Sequence, residues 1–226
     1  MKQTIQFKLL LDGVTLNAGR YNWVRLKVNA ERGVIDSYID LLDDSRHSLY
    51  IPSGNQTGLK LNRGFDVPEG EMASFTIDFD LRKSVHNPAG LDDDYILRPT
   101  LRLVDDNTAG ALTGTVASGV ITADPDDCTG MEYVGAVYVF SRGDAIDDVD
   151  GTSDPVTSAK VTNDGNYAYT VAFLPEGDYS IAFTCDADID NPAKDADADP
   201  TDGPVDFIGE TSVTITAGKT TGHNFQ

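Results

Sequence analysis

The sequence predicts an all-β protein: two tandem antiparallel β-sandwich domains, residues 1–108 and 109–226. Three observations carry that expectation. Short apolar segments alternate strictly. Phe75, Ile77, Phe79 and Leu81 fall on one face with Thr76, Asp78 and Asp80 on the other, and Tyr95, Leu97, Leu101 and Leu103 oppose Arg98 and Arg102. Successive side chains of a strand point to opposite faces, so this is the signature of a half-buried strand. Turn residues separate the segments, as in Asn163-Asp164-Gly165 and Pro175–Gly177, and supply the backbone angles a tight hairpin needs. Charge then breaks near the middle. Residues 1–112 hold 13 Lys+Arg against 16 Asp+Glu, whereas residues 113–226 hold 4 against 21. Two such different surfaces indicate two domains.

The formal net charge of −20 excludes nucleic acid and anionic membrane as partners, because phosphate binding needs clustered Lys and Arg. It favours solubility in salt and attracts cations. No run of eighteen apolar residues is present, so no transmembrane helix is expected. The start, MKQTIQFKLLLDG, is too polar for a signal peptide, and no small-residue cleavage site follows it.

Taken in order, residues 5–11 (IQFKLLL) read as a first strand. LNAGRYNWVRLKV then gives a turn and a strand with Val24, Leu26 and Val28 inward and Tyr21, Trp23, Arg25 and Lys27 outward. An outward Trp beside two bases fits sugar stacking or a cation–π contact, and it equally fits a ring covered by a loop or a neighbouring domain. SYIDLLDD and SLYIP follow as short strands. The outward acids near Asp78 and the outward arginines near Arg102 are placed to pair across a sheet.

The order of Gly19-Arg20-Tyr21, Val24-Arg25-Leu26, the run Pro52–Leu61, Ile77–Ser84 and Tyr95–Pro99 resembles the DUF4382 family over residues 10–106. That resemblance implies a sandwich domain of a bacterial, often lipid-anchored, envelope protein and carries no known activity. Members usually have a signal, a lipobox and further strands ahead of the segment matching Leu11–Leu26; here the signal and lipid-anchor region is absent. A sheet lacking those strands would expose an edge that another chain can fill by strand addition.

Asp105–Gly110 reads as the linker, and ALTGTVASGVI restarts the alternation, with Thr113–Ile121 as the first strand. GAVYVF, the stretch from AKVTNDG to AFTC, and ETSVTITAGKTTGHNF follow. Their order, with an Asn-Asp-Gly turn and a Leu-Pro-x-Gly-x-Tyr turn, resembles carboxypeptidase regulatory-like, transthyretin-type (Cna-B-like) domains over residues 112–226. The resemblance implies a seven-stranded sandwich used as a spacer or adhesion module.

Few residues suggest chemistry. Cys128 and Cys185 are the only cysteines, and an even pair in an exported β-sandwich points to a disulfide. Asp186, Asp188 and Asp190 have D-x-D-x-D spacing and are followed by Asp195 and Asp197; Asp147, Asp148 and Asp150 form a weaker cluster. Alternate carboxylates let one loop wrap several oxygens around calcium. The EF-hand pattern fails, since Asn191 stands where Gly is required and Asp197 where Glu is, so solvated acidic loops are the standing alternative. His47, His86 and His223 read as isolated, and no metalloprotease or serine-hydrolase motif occurs. Gly218-Lys219-Thr220 mimics the end of a phosphate loop, but Val213 stands where its leading Gly belongs.

The expected function is therefore a non-enzymatic, extracytoplasmic structural or adhesion module, acting with other protein chains and stiffened by calcium. A carbohydrate-binding module using Tyr21 and Trp23 on surface glycans is the alternative.

Overall fold

The computed structural model describes residues 8–41, 43–52, 58–61, 63–87, 94–123, 128, 133–149, 153–190 and 205–226. They are almost entirely strands and connecting loops, and the chain divides into two compact units, Met1–Asp105 and Asp106–Gln226.

The first unit contains β1 (Gly19–Tyr21), β2 (Val24–Leu26), β3 (Tyr38–Asp40), β4 (Arg46–Tyr50), β5 (Leu59–Leu61), β6 (Phe65–Val67), β7 (Phe75–Asp80), the one-turn helix α1 (Leu81–Ser84), β8 (Val85–His86), β9 (Asp94–Leu97) and β10 (Thr100–Asp105). They pair as β1–β6, β2–β5, β7–β10 and a four-stranded sheet β3-β4-β9-β8. Leu59, Leu61, Ile96, Leu97, Leu103 and Val104 are its buried residues of largest apolar volume.

Several expectations change here. Residues 8–11 form no strand and are exposed, and residues 5–7 lie outside the described residues. The segment 19–26 is two strands broken at Asn22 and Trp23. Leu81 is exposed because the chain leaves β7 for α1 at that residue. Tyr95–Leu103 is likewise two strands, since Pro99 has no N–H to donate. The buried Ser84 holds that break: its carbonyl accepts from Arg98 N at 2.8 Å and its hydroxyl from Thr100 N at 2.8 Å. The cross-strand charge pair does form. Arg102 lies opposite Asp78, with Nη2 2.6 Å from Oδ2.

The second unit opens with a 3-10 turn, Asp106–Thr108, that leads directly into β11 (Ala109–Thr115). β11 stops at Thr115, and residues 118–123 form helix α2 (Ser118–Ala123), so the expected strand over 113–121 ends early. The Ala117 carbonyl accepts from Val120 N at 2.9 Å and tucks Ile121 into the core. Then come β12 (Tyr133–Ser141), β13 (Thr157–Thr162), β14 (Ala168–Pro175), β15 (Gly177–Thr184), β16 (Ile208–Ile215) and β17 (Thr220–Gly222).

These form a three-stranded sheet β14-β11-β17 and a four-stranded sheet β13-β12-β15-β16. Between them pack Leu112, Val137, Val139, Val161, Val171, Leu174, Ile181, Phe183 and Phe225. Not every pair is antiparallel: β4–β9 and β11–β17 run parallel.

The four-stranded sheet is buried on both faces. Val137 and Val139 face the other sheet, while Ala136, Tyr138 and Phe140 face a second apolar cluster with Val149, Ala187, Ile146 and Phe207. Its central strand accordingly reads as an unbroken apolar run.

Candidate functional site

The described parts of the acidic loops expected to bind a cation supply the cover of that second cluster. Val149 and Ala187 reach it from the segments that carry Asp147, Asp148, Asp186, Asp188 and Asp190. A loop lying on an apolar sheet must satisfy its backbone polar groups locally, because no water reaches them there. Asp190, 5% exposed, performs this task. Its carboxylate accepts a hydrogen bond from the Tyr138 hydroxyl, and from Val149 N at 3.2 Å and 3.3 Å to its two oxygens. One side chain thus ties the strand beneath to the loop above.

Asp186 has an analogous place. It opens a 3-10 turn, Asp186–Asp188, and its carbonyl accepts from Ile189 N and Asp190 N. Its Oδ2 accepts from Asp206 N at 2.8 Å, so the start of the last long segment is pinned to the same turn. Asp188 is exposed and Asp148 is buried. Asp186 and Asp190 are therefore brought together as internal hydrogen-bond acceptors. Among the described residues, no group of three His, Cys, Asp or Glu side chains is placed to hold a metal ion. Asp150, Asp195 and Asp197 lie outside the described residues.

Cys128 and Cys185 are joined as a disulfide with Cα atoms 4.8 Å apart, and both are buried in the core between the sheets. Cys185 immediately precedes the Asp186 turn, so the bond fastens the acidic cover to the sandwich.

The two rings expected to stack on sugar have different neighbours. Tyr21 stacks on Phe65, with centroids 5.1 Å apart and planes at 11°, and its hydroxyl donates to Asn17 O at 3.1 Å. Trp23 stays half exposed, with the Arg25 guanidinium 5.3 Å and the Lys60 ammonium 5.5 Å from its ring centroid.

The histidines are less isolated than the sequence implied. His47 Nε2 lies 2.8 Å from Ser45 Oγ, which also donates to Asp43 Oδ1 at 2.6 Å. The Asp43 carboxylate accepts from the Ser45 hydroxyl, and the Ser45 bonds keep the Asp43 carboxyl below its ordinary range. His223 packs edge-on against Phe225, and burial lowers its imidazole below the usual value. Alternate i, i+2 spacing of Asp43, Ser45 and His47 was the available signal for the first cluster.

No curated protein matches the chain. Among solved structures, it is similar to GBS52, the minor pilin of Streptococcus agalactiae, at 15% identity and TM-score 0.28, covering 95% of this chain and 84% of the pilin. The Bacillus anthracis TIE protein is similar at 9% identity and TM-score 0.28, covering 92% and 34%. BcpA, the major pilin subunit of Bacillus cereus, is similar at 12% identity and TM-score 0.30, covering 76% and 44%. Residues 2–99, nearly all of the first unit, match the family described as Domain of unknown function (DUF4382).

Proposed function

We propose that the chain is a non-catalytic, force-bearing module of an extracytoplasmic surface protein, with the second unit as its mechanical element. The observation that carries this reading is the parallel pairing of the first and last strands of that unit, β11 and β17. Pulling on the two ends of a unit closed in this way draws the strands past each other along their length. All the backbone bonds between them are then loaded together. They include Gly218 N to Ala109 O at 2.7 Å, Ala111 N to Lys219 O at 2.9 Å, His223 N to Thr113 O at 2.9 Å, Phe225 N to Thr115 O at 3.0 Å and Ala117 N to Phe225 O at 2.8 Å. Asn224 Oδ1 adds an acceptor for Thr115 N at 3.0 Å.

Gly114 lets the strands lie this close, because a Cβ there would overlap the His223 carbonyl. The seven strands in sheets of three and four support a prealbumin-type, Cna-B-like reading of this unit. The disulfide supports an oxidising compartment. Joining to other chains, as an assembly or adhesion subunit, is the finer part of the proposal.

Single-molecule pulling tests it. Held at residues 106 and 226, the second unit should resist markedly more force than when held at residues 106 and 176, where β11 peels from β14 bond by bond. Gly114→Val should weaken the first geometry and spare the second. Equal forces in the two geometries would refute the proposal. Reductant should lengthen the unfolded trace by about 190 Å, since the disulfide closes a separation of 57 residues at ~3.4 Å each.

A further inference from the structure

We propose that Trp23, Arg25 and Lys60 form a binding site for an acidic saccharide, one whose rings carry carboxylate or sulfate groups. The site lies on the exposed face of the β2–β5 pair, in which Arg25 and Lys60 stand directly opposite each other. Like charges at opposed positions of an antiparallel pair destabilise it. The arrangement is the more unusual in a chain with 37 acidic residues, where Arg20, Arg32, Arg46, Arg102 and Arg142 each have a carboxylate partner within 3.2 Å. Arg25 and Lys60 have no carboxylate partner among the described residues. Their contact is the indole of Trp23, whose negative ring face offsets part of their mutual repulsion.

Two unneutralised cations converging on one half-exposed aromatic ring present two complementary features at once. The cations bind a carboxylate or sulfate by charge-assisted hydrogen bonds, and the free part of the indole offers an apolar plane for the C–H face of a sugar ring. Strands of three residues each expose a face only a few side chains wide, which suits one or two sugar rings. An acidic polypeptide would use the cations but not the plane. A second copy of this chain is the less favoured occupant, because its carboxylates would reach the cations without a sugar's C–H face for the indole. The surrounding unit is close to neutral, with 13 basic and 15 acidic residues, so its own field does not exclude a polyanion. The site shares no residue with the β11–β17 pairing, and its failure leaves the mechanical reading intact.

Trp23 is the only tryptophan, so its fluorescence reports on this site alone. The full chain is titrated with alginate oligosaccharides, dextran sulfate, neutral dextran and poly-aspartate. At least one of the two acidic saccharides should shift the emission, with affinity falling as salt rises, while neutral dextran leaves it unchanged. R25Q and K60Q should each weaken binding about tenfold or more, and R25K with K60R should largely retain it, which separates lost charge from lost folding. The proposal is overturned by a flat response to both acidic saccharides, by undiminished binding in R25Q/K60Q, or by a response to poly-aspartate equal to that of the saccharides. It is equally overturned by concentration-dependent self-association that these substitutions abolish, which would assign the patch to a second copy.

Discussion

The two units use similar strand content to opposite ends. The second unit, with 4 basic against 22 acidic residues, buries its four-stranded sheet on both faces and fastens the cover with a disulfide. The first unit is nearly balanced in charge, yet it is the one with apolar side chains in the open. Of the large hydrophobic residues exposed among the described residues, only Ile189 belongs to the second unit, whereas Leu9, Leu10, Leu11, Val14 and Leu16 form one exposed run in the first. Strong acidity is therefore no sign of a poor core. Among the described residues, the acids of the second unit sit on loops, turns or exposed strand positions, with Asp148, Asp186 and Asp190 buried in the cover, and the strands beneath carry runs such as Ala136–Phe140 that are almost fully excluded from solvent. Folding depends on the apolar area removed from water, and net charge enters mainly as self-repulsion and solubility.

Removing the disulfide should sharpen that contrast most. In the chain-entropy picture, a bond across 57 residues contributes about 4 kcal/mol. The first unit has no cysteine. Calorimetry of the full chain should show the second unit's transition falling on reduction, or in Cys128→Ala/Cys185→Ala, while the first unit's transition holds. A first-unit transition that moves by as much would break the comparison.

Asp190→Ala is next in size. It removes the carboxylate that accepts from the Tyr138 hydroxyl and the Val149 N–H beneath the loop, and losing a buried acceptor costs about 1–3 kcal/mol, so a loss of that order is expected in urea denaturation. Tyr138→Phe in the same background should cost less than it does alone, because the hydroxyl has already lost its acceptor. The counterpart in the first unit is Asp66→Ala. It removes an ion pair with Arg20 whose side chains are 70% and 56% exposed, and it should change stability by at most about 1 kcal/mol.

The strand segments of both units were legible from alternation and turn residues, and so was the Cys128–Cys185 pairing. Two of the misreadings share one physical cause. Alternation was counted through points where the backbone changes direction: Leu81 continues the pattern of β7 but begins a helix, and Leu97 and Leu101 belong to strands in different sheets. Periodicity reports which face a side chain would take if the strand continued, not whether it does. The role of Asp190 was illegible for another reason. Its spacing with Asp186 and Asp188 suggested ligands, but what a carboxylate binds depends on what lies across from it, and Tyr138 and Val149 are remote in sequence. The unbroken apolar run of β12 was the one available hint that something must cover the sheet's outer face. Trp23 stands out in the sequence, but its neighbour Lys60 comes from β5, and only the β2–β5 register brings it to the ring.

The smallest effect compares two exposed acids, one in each unit. Asp40 is held below the ordinary carboxylate range first by its hydrogen bond from Arg46 and then by that residue's charge. Asp178 is lowered first by the hydroxyl of Thr214, at 2.7 Å, and only then by Arg142. In both, a depressed folded pKa means a contribution to stability that is present above the unfolded value and lost as pH falls through the folded one. Salt screens the attraction between exposed charges more than it weakens a hydrogen bond from a neutral hydroxyl. Raising salt should therefore move the Asp40 titration, followed by NMR of its carboxyl carbon, toward the ordinary range further than that of Asp178. Thr214→Val should move Asp178 upward and abolish the difference. If Asp178 shifts with salt as much as Asp40 while Thr214 is intact, its carboxylate is held by charge rather than by the β15–β16 register that brings Thr214 opposite it.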